Sequence, residues 1–496
     1  MANSSPSIYE QLQAKVDPEI EQERLRHSRE LQQRQSELGQ ARITKLIENN
    51  SNLPTTISSI YVSGAENTRR SFLDGIFKPL LTANNGRSLT LAETIDRLGI
   101  AADKLRRFDI FKEPIEVTIG KPDQADSSST PTDLDVYVLA KELPRLKLQT
   151  GTDVGNTEGS AYVSLLCRNL FGGAESLNLN GSYGTRTRSS YNINLTSPIL
   201  SNPDVLFDVG GVSSATQNQW ASHEEVLKSG WTRLRWLGSP KSRHELSYDH
   251  SWRQITGLSG NASPTVRTEA GDSVKSSLTH TWTADYRDNA LLPQSGVYLK
   301  TINEFAGGLL TGDVNFWKTT VETQGILPIP LPGIDYGGIT LTAALRGGLL
   351  YPLAMQKSRI SDRFSLGGPN DVRGFRLAGL GPRDGSDSVG GDAFAAASAS
   401  LHFPIPGVGP ERPLRGQLFI NGGRLLALQD GQDTQKRALN TIAELGNGLP
   451  STSAGIGLVY AHPIARFELN FSLPLIVRKG EDARKGFSFG VGMNFM

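Results

Sequence analysis

The chain has 496 residues, a formal net charge of +1 and a single cysteine, Cys167. The near balance of 51 basic and 50 acidic residues argues against a nucleic acid partner, and one cysteine excludes an intrachain disulfide. No run approaches the roughly 18 apolar residues of a membrane helix, and the acidic N-terminus resembles neither a secretory signal nor an organelle transit peptide.

Residues 1–50 are dominated by Glu, Gln, Arg and Lys, with few apolar positions. Such a segment cannot bury enough apolar surface to fold by itself. We therefore predict a charged N-terminal arm that is helical or disordered.

Residues 52–142 predict a small α+β domain, because strand patterns flank two helical ones. The second helix is expected to begin at Ser88, a residue type that caps helices. The predicted elements are a strand at 56–62, helices at 67–81 and 88–108, and strands at 115–119 and 134–139.

From residue 143 to residue 496 the pattern changes to alternation of apolar and polar residues. In residues 465–473, for example, alternate positions are apolar while Arg466, Glu468 and Asn470 share the other face. This period of two is typical of a half-buried strand. About sixteen such segments lie between residues 145 and 495, although 297–305 and 313–325 mix the two faces.

Two architectures accommodate these strands. A soluble sandwich would bury the apolar faces between two sheets, whereas a membrane barrel would turn them toward lipid. Charged and amide side chains on the opposite faces, aromatic residues near strand ends and the large strand number favour the barrel. A closed barrel also satisfies every backbone polar group inside a bilayer.

Enzyme motifs are scarce. His223-Glu224-Glu225 lacks the second histidine of a zinc-protease helix, and Gly455-Ile456-Gly457 lacks the third glycine of a dinucleotide loop. We predict that the chain is not an enzyme and uses no cofactor and no metal.

Three stretches remain as candidate functional motifs: a polar turn at 285–296, a long loop at 351–392, and the last strand at 487–495. A loop of about forty residues between strands is uncommon unless it has a function. In the last strand, Ser488 and two glycines precede Met493 and Phe495.

Together these motifs resemble the family of outer-membrane protein-assembly barrels. The resemblance covers about residues 52–496, with residues 52–142 similar to one polypeptide-transport-associated (POTRA) domain. A single such domain without a signal peptide resembles the mitochondrial sorting and assembly members. The residues that carry it are Asp285, Arg287, Asp288, Asn289, Pro293 and Gly296 in the turn, and Val372, Arg373, Gly374 and Phe375 in the loop.

The resemblance implies a transmembrane β-barrel of about sixteen strands, preceded by one small α+β domain. It implies a protein that inserts β-barrel precursors into the mitochondrial outer membrane, together with accessory subunits, and without a nucleic acid. The N-terminal domain would lie in the intermembrane space. A passive channel or polypeptide-translocating pore of the same fold is the alternative.

The resemblance also implies site residues. The loop would fold into the barrel, where we expect Arg373 to meet Glu468. The first and last strands would form a lateral seam at which the last strand of a client pairs. The expected seam residues are Leu148, Gln149 and Thr150 on the first strand, and Ser488, Gly490, Gly492, Met493 and Phe495 on the last.

Overall fold

The structure is a computed structural model that describes residues 27–492, except 29–30, 32–33, 36–37, 40, 43, 83–88, 123–129, 156–157, 309–310, 331–337, 354–356, 406, 409–411, 429–433 and 464. The chain divides into two compact units, residues 1–143 and 144–496. Most of the predicted arm lies outside the described residues, but residues 44–49 are helical.

The first unit is the expected small α+β domain. Its four-stranded sheet has the order β2-β1-β4-β3, with β1 and β4 parallel. Two helices bury their apolar faces, including Phe72 and Ile76 of the first and Leu98 and Leu105 of the second. The elements are β1 Pro54–Ser63, α1 Arg70–Thr82, β2 Leu89–Thr90, α2 Leu91–Arg107, β3 Glu116–Gly120 and β4 Asp133–Leu139.

The start of α2 corrects the predicted cap. The helix begins at Leu91 because Leu89 and Thr90 first pair with β1, and Ser88 lies outside the described residues. The cap is Thr90, whose hydroxyl accepts a hydrogen bond from the Glu93 backbone N–H at 3.3 Å. The Glu93 carboxylate in turn accepts from the Thr90 backbone N–H, which completes a capping box.

Replacing this cap is expected to destabilise the first unit modestly. Thr90→Ala removes the side-chain acceptor at the helix N-terminus and should cost about 1 kcal/mol. Hydrogen exchange of the α2 amides in the full chain measures this loss. Thr90→Ser, which retains the hydroxyl, should behave like the parent chain; equal exchange in both variants would contradict the assignment.

The second unit is one antiparallel sheet of sixteen strands in which sequence neighbours pair, and β15 pairs with β18 across the long loop. Its first and last strands approach within 8 Å between Cα atoms, so the sheet curves back on itself as a barrel. The strands are β5 Leu146–Gly155, β6 Glu158–Arg168, β7 Ser176–Gly184, β8 Thr187–Ile199, β9 Asn202–Asn218, β10 His223–Ser239, β11 Ser242–Thr256, β12 Gly271–Asp285, β13 Gly296–Ala306, β14 Phe316–Ile329, β15 Ile339–Pro352, the separate loop hairpin of β16 Arg383–Asp384 and β17 Asp387–Ser388, then β18 Ala393–Pro404, β19 Leu414–Leu426, β20 Ser451–Ala461, β21 Arg466–Ile476 and β22 Gly486–Gly492.

Two helices accompany the barrel strands in the chain. They are α3 Pro264–Thr268 and α4 Thr434–Gly446, and single 3-10 turns occur at Gln219–Ala221 and Ile360–Asp362. None of the helices among the described residues is long and apolar enough to cross a membrane.

The predicted sixteen-stranded barrel is confirmed, and the sandwich alternative is wrong because the strands form one sheet. The ambiguous segments at 297–305 and 313–325 are β13 and β14, whose bounds are Gly296–Ala306 and Phe316–Ile329. The predicted last strand ended at 495, but the described strand covers 486–492, and residues 493–495 lie outside the described residues.

Burial in the barrel wall is inverted relative to a water-soluble protein. In β21, Leu469 and Leu473 are exposed, whereas Glu468, Asn470 and Ser472 are buried. Apolar side chains therefore face outward and polar ones face the interior, the arrangement of a barrel that spans lipid. The long loop contacts these inward-facing side chains.

Candidate functional site: the inward loop and the seam

The described part of the loop between β15 and β18, residues 357–392, packs inside the barrel. Its residues Leu366, Val372, Phe375 and Leu380 join wall residues in a buried apolar cluster. The wall members of this cluster are Ala344, Phe394, Ala396 and Leu425. A polar, glycine-rich loop thus has an apolar core of its own inside the barrel, which gives it a defined position.

Arg373, at the centre of the loop, meets Glu468 on the inner wall. Its Nε and Nη2 atoms both donate to Glu468 Oε2, at 3.1 and 2.9 Å. Both side chains are almost completely inaccessible to solvent. The guanidinium also lies over the ring of Phe419, 4.9 Å from its centroid. The predicted wall partner of Arg373 is therefore in contact with it.

The pairing is not a fork that uses both carboxylate oxygens. Arg373 uses only Oε2, because the other oxygen of Glu468 lies 2.6 Å from Nη2 of Arg466. Asn470 Nδ2 and Gln417 Nε2 also donate to Oε2, at 2.8 and 3.2 Å. One buried carboxylate thus serves two arginines and two amides, which makes it the centre of a network.

The glycine of the motif allows the loop to approach the wall closely. Gly374 has φ of +84°, and a Cβ there would lie 2.7 Å from Cβ of Ser453 on β20. The Ser453 hydroxyl donates to the backbone carbonyl of Arg373. Beyond it, Phe375 pairs with Ala483 in the turn between β21 and β22. The four motif residues therefore dock as a unit.

A second buried ion pair holds the loop at Asp362. Arg253 on β11 donates from Nη1 to Oδ1 of Asp362 at 2.7 Å and from Nη2 to Oδ2 at 3.1 Å. Lys275 lies 3.4 Å from the same carboxylate. Burial alone would raise the pKa of Asp362, but Arg253 and Lys275 outweigh it and hold this pKa below its ordinary value.

This lowered pKa predicts a specific pH dependence. Because the folded pKa lies below the unfolded one, Asp362 contributes stability fully above about pH 4 and loses it as pH falls through the folded value. The difference in unfolding free energy between the parent chain and Asp362→Asn should therefore be constant near neutrality and shrink in acid. Urea unfolding in detergent across pH measures it. The exposed Asp272→Asn is the control, and a difference that grows in acid would contradict the assignment.

Two further contacts join the loop to the barrel wall, one of them to its last strand. Arg346 on β15 donates to Oδ1 of Asp371 at 2.6 Å. Next to it, Nδ2 of Asn370 donates to the backbone carbonyl of Val491, on the last strand, at 2.9 Å. The loop therefore contacts the last strand directly, through a residue that lies close in sequence to Arg373.

The seam itself lies between β5 and β22. Residues 145–150, which include Leu148, Gln149 and Thr150, are exposed on both faces of β5. Among the described residues, β5 pairs with β6 and β22 pairs with β21, and no hydrogen-bonded ladder joins β5 to β22. Ser488, Gly490 and Gly492 lie on β22 as expected, whereas Met493 and Phe495 fall outside the described residues.

A cavity of about 810 Å³ lies beside the seam, inside the barrel. It is lined by Asn370 and Phe375 of the loop, Ser488 and Val491 of β22, and Ser160 of β6. Space next to an incompletely paired last strand is what an incoming segment would need.

The polar turn at 285–296 is stabilised by hydrogen bonds among its own residues. Asp285 accepts from Nε and Nη2 of Arg287 at 2.9 and 2.8 Å, and Asp288 accepts from the Gln294 backbone N–H at 2.9 Å. Asn289 accepts from the Leu291 backbone N–H, and Gly296 has φ of +113°. Pro293 is buried within this turn. These six residues therefore stabilise a turn, and the contact from Arg466 Nη1 to the Leu291 carbonyl, at 3.4 Å, joins it to the buried network.

The sequence matches known proteins over most of its length. The profile of the Omp85 superfamily domain matches residues 169–495. A SAM50-like protein of Schizosaccharomyces pombe is 40% identical over 92% of this chain and 94% of its own length.

This chain belongs to the sorting and assembly machinery component 50 family of the Omp85 superfamily. The Xenopus tropicalis protein named sorting and assembly machinery component 50 homolog is 32% identical over 90% of this chain and 92% of its own. The expected family is confirmed. Among solved structures, this Omp85 barrel is similar to BamA from Haemophilus ducreyi lacking POTRA domains 1–3, with a TM-score of 0.70 and 16% identity, over 88% of this chain and 84% of that one.

Some residues of this Omp85 site were missed from the sequence. Arg466 shares the polar face of β21 with Glu468, so strand alternation contained the signal that both reach the same interior point. Asp362 and Arg253 had no such signal, since they are 109 residues apart and meet only through the path of the loop.

Proposed function

We propose that the chain folds β-barrel precursors into the mitochondrial outer membrane by pairing a client's last strand at the seam between β5 and β22. The observation that carries this proposal is the exposure and the one-sided pairing of β5. Residues 145–150 are exposed on both faces, and among the described residues β5 pairs with β6 alone. Among the described residues, the first and last strands thus each present an edge, whereas the strands between them are paired on both sides.

An unpaired strand edge is a template for another strand. Its free N–H and C=O groups bind an extended segment through main-chain hydrogen bonds. Inside a bilayer this effect is strong, because no water is available to satisfy those groups. The edge therefore favours β-strands of many sequences, which suits a protein with several clients.

The last strand is built to separate from the first. Gly490 and Gly492 contribute no side-chain packing and weaken a strand. A glycine-containing end strand makes few side-chain contacts across the seam, so opening the seam disturbs little of the wall.

The inward loop would keep the wall next to the seam rigid while the seam exchanges partners. Arg373 fixes the loop to β21 through Glu468, and Asn370 contacts β22 through the Val491 carbonyl. The loop thus supports the strands that end the sheet, without contributing a strand of its own to it.

The cellular setting follows from the family. Relatives carry the name sorting and assembly machinery component 50, and we include in the proposal a mitochondrial outer-membrane location, accessory subunits of an assembly complex, and the first unit in the intermembrane space. In this account β-barrel precursor polypeptides and the lipid bilayer are the direct partners, and no catalysis of covalent chemistry is involved.

A passive channel or polypeptide-translocating pore of the same fold is the competing function. The buried apolar cluster that the loop forms with the wall occupies interior space that a wide pore requires. The Arg373–Glu468 and Arg253–Asp362 pairs hold the loop in that position. This arrangement favours assembly over conduction.

Reconstitution distinguishes the two functions. The chain, purified in mild detergent with its bound partners and placed in liposomes, should accelerate the appearance of protease-protected barrel from a denatured precursor. A precursor without its last strand should show no acceleration. No acceleration of either precursor, together with a wide and steady single-channel conductance, would favour the pore.

A further inference from the structure

The outer face of the barrel wall is indented across strands β6 to β11. Outward residues that lie directly opposite one another on neighbouring strands form two adjacent rows, and a groove of about 810 Å³ lies over them. The first row contains Val163, Gly181, Tyr191, Ser213, Lys228 and Trp252, and the second contains Leu165, Leu179, Ile193, Gly211, Gly230 and His250.

The floor of this groove consists of small residues. Gly211 and Gly230 lie directly opposite each other on β9 and β10. A Cβ added at Gly230 would meet only the carbonyl oxygen of Gly210, at 3.8 Å. The outer surface is therefore recessed here because glycine has no side chain, and larger side chains lie on both sides of the recess.

The groove faces the surroundings of the barrel. Tyr191 is 63% exposed and Ile193 is 50% exposed, although both are apolar or aromatic. The alternate residues Trp231 and Arg253 are buried on the inner side, and Arg253 there contacts the inward loop. Since successive strand residues point to opposite faces, the groove residues point toward lipid.

One end of the groove carries a positive charge. Nζ of Lys228 lies 5.1 Å from the ring centroid of Trp252, a cation–π contact. Four residues earlier on the same face of β10, Glu224 forms an ion pair with Arg188 at 3.0 Å. Arg188 is 57% exposed, so this ion pair marks the water side of the membrane boundary. Lys228 lies about 13 Å further along the strand, from where its flexible side chain can extend toward that boundary.

We propose that this groove binds a phospholipid, with an acyl chain along the glycine floor and the phosphate beside Lys228. The groove is complementary to one lipid molecule, because its apolar part matches an acyl chain and its cation matches the phosphate of the headgroup. A protein strand fits poorly, because the backbone groups of β7 to β10 are already paired with neighbours on both sides. The aromatic side chains of Tyr191 and Trp252 flank the chain and suit the interface region.

Photolabelling in nanodiscs tests this site. The full chain is placed in phosphatidylcholine nanodiscs with phosphatidylglycerol that carries a photoreactive group in one acyl chain, and labelled peptides are mapped. Labels should concentrate on β8 to β11. Gly230→Val, which fills the trough, should lower this labelling about tenfold, the effect of roughly 1.4 kcal/mol. Lys228→Gln should lower labelling by the phosphatidylglycerol probe more than by a phosphatidylcholine probe.

The matched control is Gly325→Val. Gly325 lies opposite the exposed Val297 on the outer face, and a Cβ there meets nothing within 4 Å. This variant should label like the parent chain. Labels spread evenly around the barrel, an unchanged yield in Gly230→Val, or crosslinks from the groove to a second copy of the chain in place of lipid would overturn the proposal. Lys228→Gln trims an exposed side chain and therefore gives a result even if Gly230→Val folds poorly.

Discussion

Glu468→Gln is expected to lower the free energy of unfolding of the barrel by about 3–5 kcal/mol, the usual cost of removing one partner of a buried ion pair. The substitution retains the shape and one hydrogen-bonding oxygen of the side chain. It removes the negative charge that contacts Arg373 at 2.9 Å and Arg466 at 2.6 Å. Urea unfolding in detergent, followed by tryptophan fluorescence, measures the loss.

The matched control for this variant is Glu444→Gln. Glu444 also pairs with an arginine, Arg424, at 3.3 Å, but its side chain is 43% exposed. An exposed pair contributes at most about 1 kcal/mol, so the control should unfold nearly like the parent chain. If the two variants lose the same stability, the buried network around Glu468 does not hold the loop.

Gly374→Ala is the second substitution with a large expected effect. The residue has φ of +84°, and its new Cβ would lie 2.7 Å from Cβ of Ser453. The left-handed conformation costs about 1–2 kcal/mol for a residue with a Cβ, and crowding against the wall adds about 1–3 kcal/mol. We expect the loop to withdraw from β20, which weakens the Arg373–Glu468 pair as well.

Gly385→Ala separates these two contributions. Gly385 lies in the same loop with φ of +61°, yet a Cβ there meets nothing within 4 Å. Gly385→Ala should lose only the stability that the left-handed conformation costs, without the crowding against the wall. Hydrogen exchange of the loop amides should rise strongly in Gly374→Ala and slightly in Gly385→Ala; equal changes would show that Gly374 does not dock against the wall.

Alternation along the chain predicted the strands, and the charged inner faces, the aromatic strand ends and the large strand number selected the barrel over the sandwich. Alternation also selected Glu468, since the polar face of β21 must point inward. The family resemblance added the partner, Arg373. These predictions succeeded because they depend on short-range periodicity or on a motif.

Other features could not be predicted because they depend on long-range geometry. Asp362 finds Arg253 only once the loop has entered the barrel. Asn370 reaches the Val491 carbonyl, a backbone group that no sequence pattern marks. The predicted start of α2 was wrong for a related reason: pairing of Leu89 and Thr90 with β1 moves it to Leu91.

Site-specific crosslinking at the seam tests the central proposal most directly. In a Cys167→Ala background, Leu148→Cys on β5 and Leu345→Cys on β15 place one thiol each at outward leucines that are 66% and 61% exposed. A client barrel carries one cysteine in its last strand. We predict that an oxidant added during client assembly yields a disulfide to residue 148, that the same oxidant added after assembly is complete yields none, and that residue 345 yields none at either time. Equal yields at both positions, or assembly of the client without any crosslink at residue 148, would contradict the account.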